Sequence, residues 1–326
     1  MGSSQPVREP CPVRLRSGHV RAAQAPSRGG GLIGLADQPI IGVMLQRRRL
    51  SCSSARRRIS HPPMESLIAR ALRMQLSPVA LCWSDQRPSE CVQFQQGRWG
   101  CVIWHLSAAA KGRIAAVDET TFGCLGGATG LGFGNAYLQW PGGIECFHGF
   151  LSTGYVPPQG EADSIHARRA ARHVDGERYI KSPALVRAYV DRLPMMRIPT
   201  RYVLFKPLSA VDPSADAPQV VVFVVDPDQL SALIVLANYD RDSNDNVIAP
   251  FAAGCQQIGI LAYQEGRSER PRVVLGLSDL SARRYVKRQL GEDLMTMAIP
   301  WKRFLEMESN VEGSFLQAET WRELID

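Results

Sequence analysis

Residues 64–326 carry two kinds of apolar pattern, one helical and one extended. Apolar side chains spaced three and four apart predict helices, and short continuous apolar runs predict strands. The helical pattern covers residues 64–76, 100–111, 182–193, 229–239, 279–289 and 300–308. The extended pattern covers residues 79–83, 115–119, 202–207, 220–225, 273–276 and 294–299. Residues 141–160 are rich in Gly, Pro and aromatic residues, and this composition predicts irregular structure.

These elements predict a mixed α/β fold of the α+β class, folded as a single domain over residues 64–326. The run 220–225 is apolar at every position, which predicts a strand buried on both faces. A strand, a helix and a Gly-Cys pair occur around 79–101 and again around 220–255, which leaves a degenerate internal duplication open. A chain of this length can bury a substantial core.

Residues 1–63 differ from the rest in charge. They contain eleven Arg, no Lys and two acidic residues, a net charge of +9. We expect a disordered basic tail, and the clean start of a helix at Met64 favours translation from there over a transit peptide or a nucleic-acid-binding arm. The remaining residues carry 27 basic and 29 acidic side chains, a net charge of −2. Specific binding to nucleic acid is therefore not expected.

No segment predicts a membrane span. Asp37 and Pro39 interrupt the apolar stretch 31–45, which is too short to cross a bilayer. We expect a cytoplasmic protein that binds a small-molecule ligand or substrate and no membrane; the oligomeric state is left open. In a reducing compartment, its eight cysteines are expected to be metal ligands, nucleophiles or core residues.

Three cysteines lie in glycine-containing segments where a helix is expected to begin. Cys101 and Cys255 each follow a glycine, and Cys124 lies within Phe-Gly-Cys-Leu-Gly-Gly. Thiols near helix N-termini ionise more readily, which suits metal ligation or reactive chemistry. Three thiolates with one open position match a 4Fe–4S cluster that binds substrate at its unique iron, or a zinc site completed by His or water. The alternative is that all three are small buried core residues.

The stretch after Cys124 is the most glycine-dense part of the predicted domain. Gly126, Gly127 and Gly130 could cradle a phosphate or a flavin with backbone N–H groups, although the stretch matches neither nucleotide-binding glycine motif. The same glycines could instead let the backbone pass close to a cluster or a neighbouring strand, which we favour. Lys111 ends the preceding predicted helix and either stabilises the helix end or orients an anionic substrate.

Two other cysteines have a weaker pattern for ligand roles. Cys82 lies inside an apolar run and is expected in the core. Cys146 lies two residues before His148, so it could supply a fourth ligand or be an ordinary loop residue.

Several short motifs follow one another along the chain. In order they are Ser77-Pro-Val-Ala-Leu, Cys101 with Lys111-Gly112, Cys124-Leu-Gly-Gly, Lys206-Pro-Leu, the run from Pro218 to Pro227, Gly254-Cys255 and Met297-Ala-Ile-Pro300. This order resembles domain-of-unknown-function family 169 over about residues 64–324. The resemblance implies no reaction, but it favours the cluster interpretation of the three cysteines. It also implies that many members carry a further Gly-Cys where this chain has Leu277.

Two classes of function remain. The first is a cytosolic metal or iron–sulfur protein, redox or non-redox, with Cys101, Cys124 and Cys255 as ligands and an open iron as the acting group. The second is a binding module without chemistry, in which the glycine stretch and the pair Arg283 and Arg284 hold a small anion or a cofactor. The sequence leaves open whether the chain is an enzyme.

Overall fold

A computed structural model describes residues 64–155 and 176–326. Both ranges belong to one compact unit, His61–Asp326. The predicted tail, residues 1–63, lies outside the described residues, as do residues 156–160 of the segment predicted to be irregular.

The described strands form one mixed sheet. They are β1 Val79–Ser84, β2 Ala115–Val117, β3 Tyr202–Pro207, β4 Ala217–Val225, β5 Val247–Ile248, β6 Val273–Gly276 and β7 Met295–Pro300. Their spatial order is β2-β3-β1-β4-β7-β6-β5. Neighbouring strands are antiparallel except β5 and β6, which are parallel. Together with the helices, this sheet confirms the predicted α+β class; the short strand β5 was not predicted.

Helices cover both faces of the sheet. They are α1 Leu67–Ala71, α2 Ile103–Ala110, α3 Leu125–Leu131, α4 Ile144–Ser152, α5 Pro183–Arg192, α6 Pro227–Asn238, α7 Gly254–Ile258, α8 Ile260–Gly266, α9 Leu280–Gln289, α10 Trp301–Ser309 and α11 Glu319–Ile325. Helices α2 to α5 and α7 to α9 pack on one face, which we call the cavity face because the candidate site lies in its helix layer. Helices α1, α6, α10 and α11 pack on the opposite face.

Strand β4 is buried on both faces, as its continuous apolar sequence predicted. Val220, Val222 and Val224 belong to the core of the cavity face. The residues between them belong to the core of the opposite face, because successive side chains of a strand point to opposite sides. The sheet therefore separates two hydrophobic cores.

Side-chain caps fix the starts of three predicted helices. Ser182 accepts a hydrogen bond from the Leu185 N–H at the start of α5. Asp226 and Gln229 form a reciprocal capping box at the start of α6, and Asp279 caps α9. Such residues satisfy backbone N–H groups that have no partner within the helix, so these starts could be predicted from the sequence.

The prediction of irregular structure for residues 141–160 is wrong for residues 144–152, which form α4. Gly143, with a φ of 88°, precedes the helix, and glycine adopts this conformation without strain. The helix is stabilised because Phe147 and Phe150 are buried in the core of the cavity face.

The internal duplication stays a prediction. Helix α6 follows β4, but no helix lies between β1 and Cys101 in the described part of the chain. The two halves therefore do not repeat the same order of elements up to their cysteines.

Candidate functional site

Cys101, Cys124 and Cys255 line the same cavity. The cavity has an empty volume of about 750 Å³, including its open mouth. Cys101 lies two residues before α2, Cys124 is the N-cap residue of α3, and Cys255 is the second residue of α7. The fold thus brings together three thiols that are distant in sequence.

Gly126 lies beside two of the sulfurs. A β-carbon built on Gly126 would lie 3.9 Å from both Cys124 Sγ and Cys255 Sγ, so the two sulfurs are separated by at most twice that distance. Cys124 Sγ accepts a hydrogen bond from the Gly127 N–H at 3.2 Å, and Cys255 Sγ donates one to the Gly126 carbonyl at 2.9 Å. Both thiols are held at the start of α3, where one occupant of the cavity can contact them together.

Burial raises the pKa of the Cys255 thiol well above its ordinary value. Cys124, Cys101 and Asp279 raise this pKa further, because a negative charge on any of them would repel a thiolate at Cys255. The expectation that a helix N-terminus lowers the thiol pKa is therefore wrong for Cys255. Burial and neighbouring negative charge outweigh the helix dipole here.

Glycines let α3 and α7 approach closely. A β-carbon on Gly130 would lie 2.6 Å from the carbonyl carbon of Cys255, and one on Gly259 would lie 2.0 Å from the carbonyl oxygen of Gly130. Gly127 is confined by backbone in the same way, and Gly126 is the member of the predicted glycine set that lines the cavity. The glycine-dense stretch is thus a helix with a close packing surface, and the backbone that it approaches belongs to a helix, where the favoured alternative named a cluster or a strand.

The basic residues singled out in the sequence do not line the cavity. The Lys111 ammonium donates a hydrogen bond to the backbone carbonyl of Gln289 near the end of α9. Arg283 donates to the carbonyl of Leu294 at 3.2 Å, and Arg284 is exposed. Lys111 and Arg283 therefore bind the ends of helices and strands rather than a cavity ligand.

Aromatic side chains form much of the cavity wall, and the sequence analysis did not identify them as site residues. They form two groups, Tyr137, Trp140, Phe147 and Phe150 in one, and Tyr179, Tyr189 and Phe251 in the other. The rings within each group touch, with the stacked pair Tyr137 and Phe147 at a centroid distance of 4.1 Å and the edge-on pair Tyr179 and Phe251 at 5.8 Å. The helical spacing of apolar residues in 144–152 was the signal available for the first group.

Among the residues that the structure describes, the charged side chains that line the cavity, Glu177 and Asp279, are both acidic. Asp279 caps α9 by accepting a hydrogen bond from the Ser281 N–H at 2.8 Å, and its second carboxylate oxygen accepts from the Gly254 N–H at 3.4 Å. A negatively charged occupant would be repelled by these carboxylates. The cavity therefore favours neutral or cationic groups.

Leu277, where the resemblance places a cysteine in other members, lies next to the Cys255 segment. Its φ is 71°, its N–H donates to the Gln257 side chain at 2.6 Å, and its side chain lies 3.5 Å from the position of a β-carbon on Gly254. Leucine offers no ligand atom, so this chain supplies apolar packing at that position.

Neither Cys82 nor Cys146 lines the cavity. Cys82 lies in β1 within the core of the opposite face, where burial raises the pKa of its thiol to about 12; this agrees with its predicted core role. Cys146 Sγ donates to the carbonyl of Gly142 at 3.1 Å, and His148 Nδ1 lies 3.3 Å from a carboxylate oxygen of Glu145.

Within residues 64–155 and 176–326, no group of three or more His, Cys, Asp or Glu side chains could hold a metal ion. The three cavity thiols thus share a cavity without surrounding a single point at metal-bonding distance. In the same ranges, no helix is long and apolar enough to cross a membrane.

Residues 67–310 match the sequence profile of DUF169, a family described as "Uncharacterised ArCR". The chain belongs to this family. All residues that line the cavity fall inside the range matched to DUF169. Neither a comparison with curated proteins nor one with solved structures gave a match.

Proposed function

We propose that Cys101, Cys124 and Cys255 hold a 4Fe–4S cluster, with one iron left open toward the aromatic part of the cavity. The observation that carries this proposal is that three thiols from three separate chain segments line one cavity. Two of the sulfurs lie at the same distance, 3.9 Å, from one point. Cysteine thiolates are the usual ligands of such clusters.

The charge of the site fits a cationic metal group. Burial, and after it the neighbouring Cys124 and Cys101, raises the pKa of the Cys255 thiol, and the charged residues among the described lining are acidic. Metal binding releases the thiol protons, because the thiolates are the metal ligands. When bound, a cluster with an open iron supplies a site for a substrate atom or for one electron.

Zinc is the alternative metal. Zn–S bonds of about 2.3 Å require the three sulfurs to lie under ~4 Å from one another. The described side chains offer no group of three that could hold one ion.

A binding module without chemistry is the second candidate, and the aromatic walls of the cavity support it. A module that binds an anion in this cavity has less support than one that binds an uncharged ligand. The cavity residues Glu177 and Asp279 are acidic, and Arg283 donates to the backbone carbonyl of Leu294. In either case a reducing compartment such as the cytoplasm would suit the thiols.

The iron and acid-labile sulfide content of the full chain, expressed and purified without oxygen, tests the proposal. We expect about four iron and four sulfide per chain. Changing Cys101, Cys124 or Cys255 to Ser should remove most of both. Cys82→Ser is the matched control, since Cys82 lies across the sheet, and it should keep the wild-type content. A wild-type protein without iron under these conditions would favour the binding module.

A further inference from the structure

Gln256, in α7, is fully buried, and its amide orientation is fixed by the backbone. Its side-chain oxygen accepts a hydrogen bond from the Ala253 N–H at 3.0 Å, and a backbone N–H can only donate. The same oxygen accepts from the Tyr189 hydroxyl at 2.8 Å. The Gln256 Nε2 is therefore the donor to the Tyr137 oxygen at 2.9 Å.

This arrangement leaves the hydroxyl hydrogen of Tyr137 without an acceptor among the described residues. Tyr137 is 5% exposed, and stacking on Phe147 fixes its ring. Its oxygen lies 3.6 Å from the position of a β-carbon on Gly126, the same position that is 3.9 Å from the sulfurs of Cys124 and Cys255. The Tyr137 oxygen therefore lies at the thiol end of the cavity.

Tyr137 keeps this hydrogen over the physiological pH range. A tyrosine hydroxyl has an ordinary pKa of about 10, so it is protonated at neutral pH. A buried donor without an acceptor costs free energy, so a ligand that supplies the acceptor gains affinity.

The rest of the cavity limits what that ligand can be. Aromatic side chains line it from two groups, which suits a flat or apolar body. In the described part of its lining the charged residues, Glu177 and Asp279, are acidic, which disfavours a carboxylate or a phosphate.

We infer that Tyr137 is the hydrogen-bond donor by which this cavity recognises a small organic molecule with a carbonyl or similar acceptor atom, an apolar or aromatic body and no negative charge. The inference rests on the proposed function in one respect, since both place a ligand in the cavity lined by Cys101, Cys124 and Cys255. A molecule bound in this way has its acceptor atom at the thiol end.

Binding of three probes of similar size tests the inference on the full chain. Benzamide has a ring and a neutral acceptor, toluene has the ring without an acceptor, and benzoate has an acceptor with a negative charge. We expect benzamide to bind more tightly than benzoate in titration calorimetry. Tyr137→Phe should weaken benzamide binding by about three- to tenfold, the effect of one neutral hydrogen bond, and should leave toluene binding unchanged.

Tyr189→Phe is the matched control, because the Tyr189 hydroxyl already donates to Gln256. It should change the ratio of benzamide to toluene affinity by less than Tyr137→Phe does. Equal benzamide affinity in wild type and Tyr137→Phe, tighter binding of benzoate, or no benzamide binding to the wild type would overturn the inference. Iron content measured on the same samples keeps the two proposals apart, since Tyr137→Phe should retain the iron of the wild type.

Discussion

Two fully buried polar side chains, Arg303 and Gln256, organise hydrogen bonds on opposite faces of the sheet, and they differ in where those hydrogen bonds end. Arg303, on α10, is fully buried, and its guanidinium donates to Asp240 and Glu306, each with a bond of 2.9 Å. Gln256 is also fully buried on the cavity face. The hydrogen bonds that it organises end at Tyr137, whose hydrogen has no acceptor in the described part of the chain. The hydrogen bonds of Arg303 end at carboxylates, and those of Gln256 end at a cavity.

The difference separates a structural role from a binding role. Buried polar groups are nearly always hydrogen-bonded, and an exception calls for an explanation. The hydrogen bonds from Arg303 lower the pKa of the Asp240 carboxyl well below its ordinary value. At Tyr137 the explanation we propose is a ligand.

The largest expected effect on stability is at Arg303. Arg303→Met should lower the free energy of unfolding by about 3–5 kcal/mol, because it removes the buried partner of the Asp240 carboxylate and leaves Glu306 with Arg241 alone. Urea denaturation of the full chain measures this loss, and iron content per folded chain should not change. A loss below about 1 kcal/mol would mean that these ion pairs do not stabilise the fold.

The second expected effect is a pH dependence from His105, which lies on α2 in the cavity face. Neither ring nitrogen of His105 has a hydrogen-bond partner among the described residues, and burial lowers its pKa from 6.5 to about 4. The folded chain keeps His105 neutral while the unfolded chain takes up a proton below pH 6.5. Stability should therefore fall as the pH drops from 6.5 to about 4, by about 3 kcal/mol at most.

His105→Leu should remove this contribution. The difference in unfolding free energy between wild type and variant, measured from pH 7 to pH 4, should change by the same amount. Parallel curves for the two proteins over this range would contradict the assignment.

The smallest expected change in stability is at the contact between α3 and α7. Gly130→Ala would place a β-carbon 2.6 Å from the Cys255 backbone and should cost about 1–3 kcal/mol. Because this contact sets the distance between Cys124 and Cys255, iron content should fall with it. Gly266→Ala is the control, since its β-carbon would lie at an ordinary 3.5 Å from Pro300. Wild-type iron content in Gly130→Ala would show that this contact does not position the thiols.

Much of the fold could be predicted from local sequence. The apolar run of β4 and the caps at Ser182, Asp226 and Asp279 each depend on residues a few positions apart. Helix α3 was not predicted, because its glycines are poor helix formers, and Gly130 is explained by contacts with the distant Cys255 and Gly259.

The candidate site could be predicted only in part. Cys101, Cys124 and Cys255 were singled out by their neighbouring glycines, and the fold brings them to one cavity. The roles of Gln256 and Tyr137 depend on hydrogen bonds between residues that are far apart in the sequence. No local sequence pattern predicts such bonds. Burial, which only the fold determines, also reversed the expected pKa shift of Cys255.

Anomalous X-ray diffraction at the iron absorption edge, from crystals of the full chain grown without oxygen, tests the central claim most directly. The proposal predicts a strong iron peak inside the cavity, in contact with the sulfurs of Cys101, Cys124 and Cys255 and next to the Tyr137 hydroxyl. A cavity without iron, or iron bound elsewhere on the chain, would contradict it.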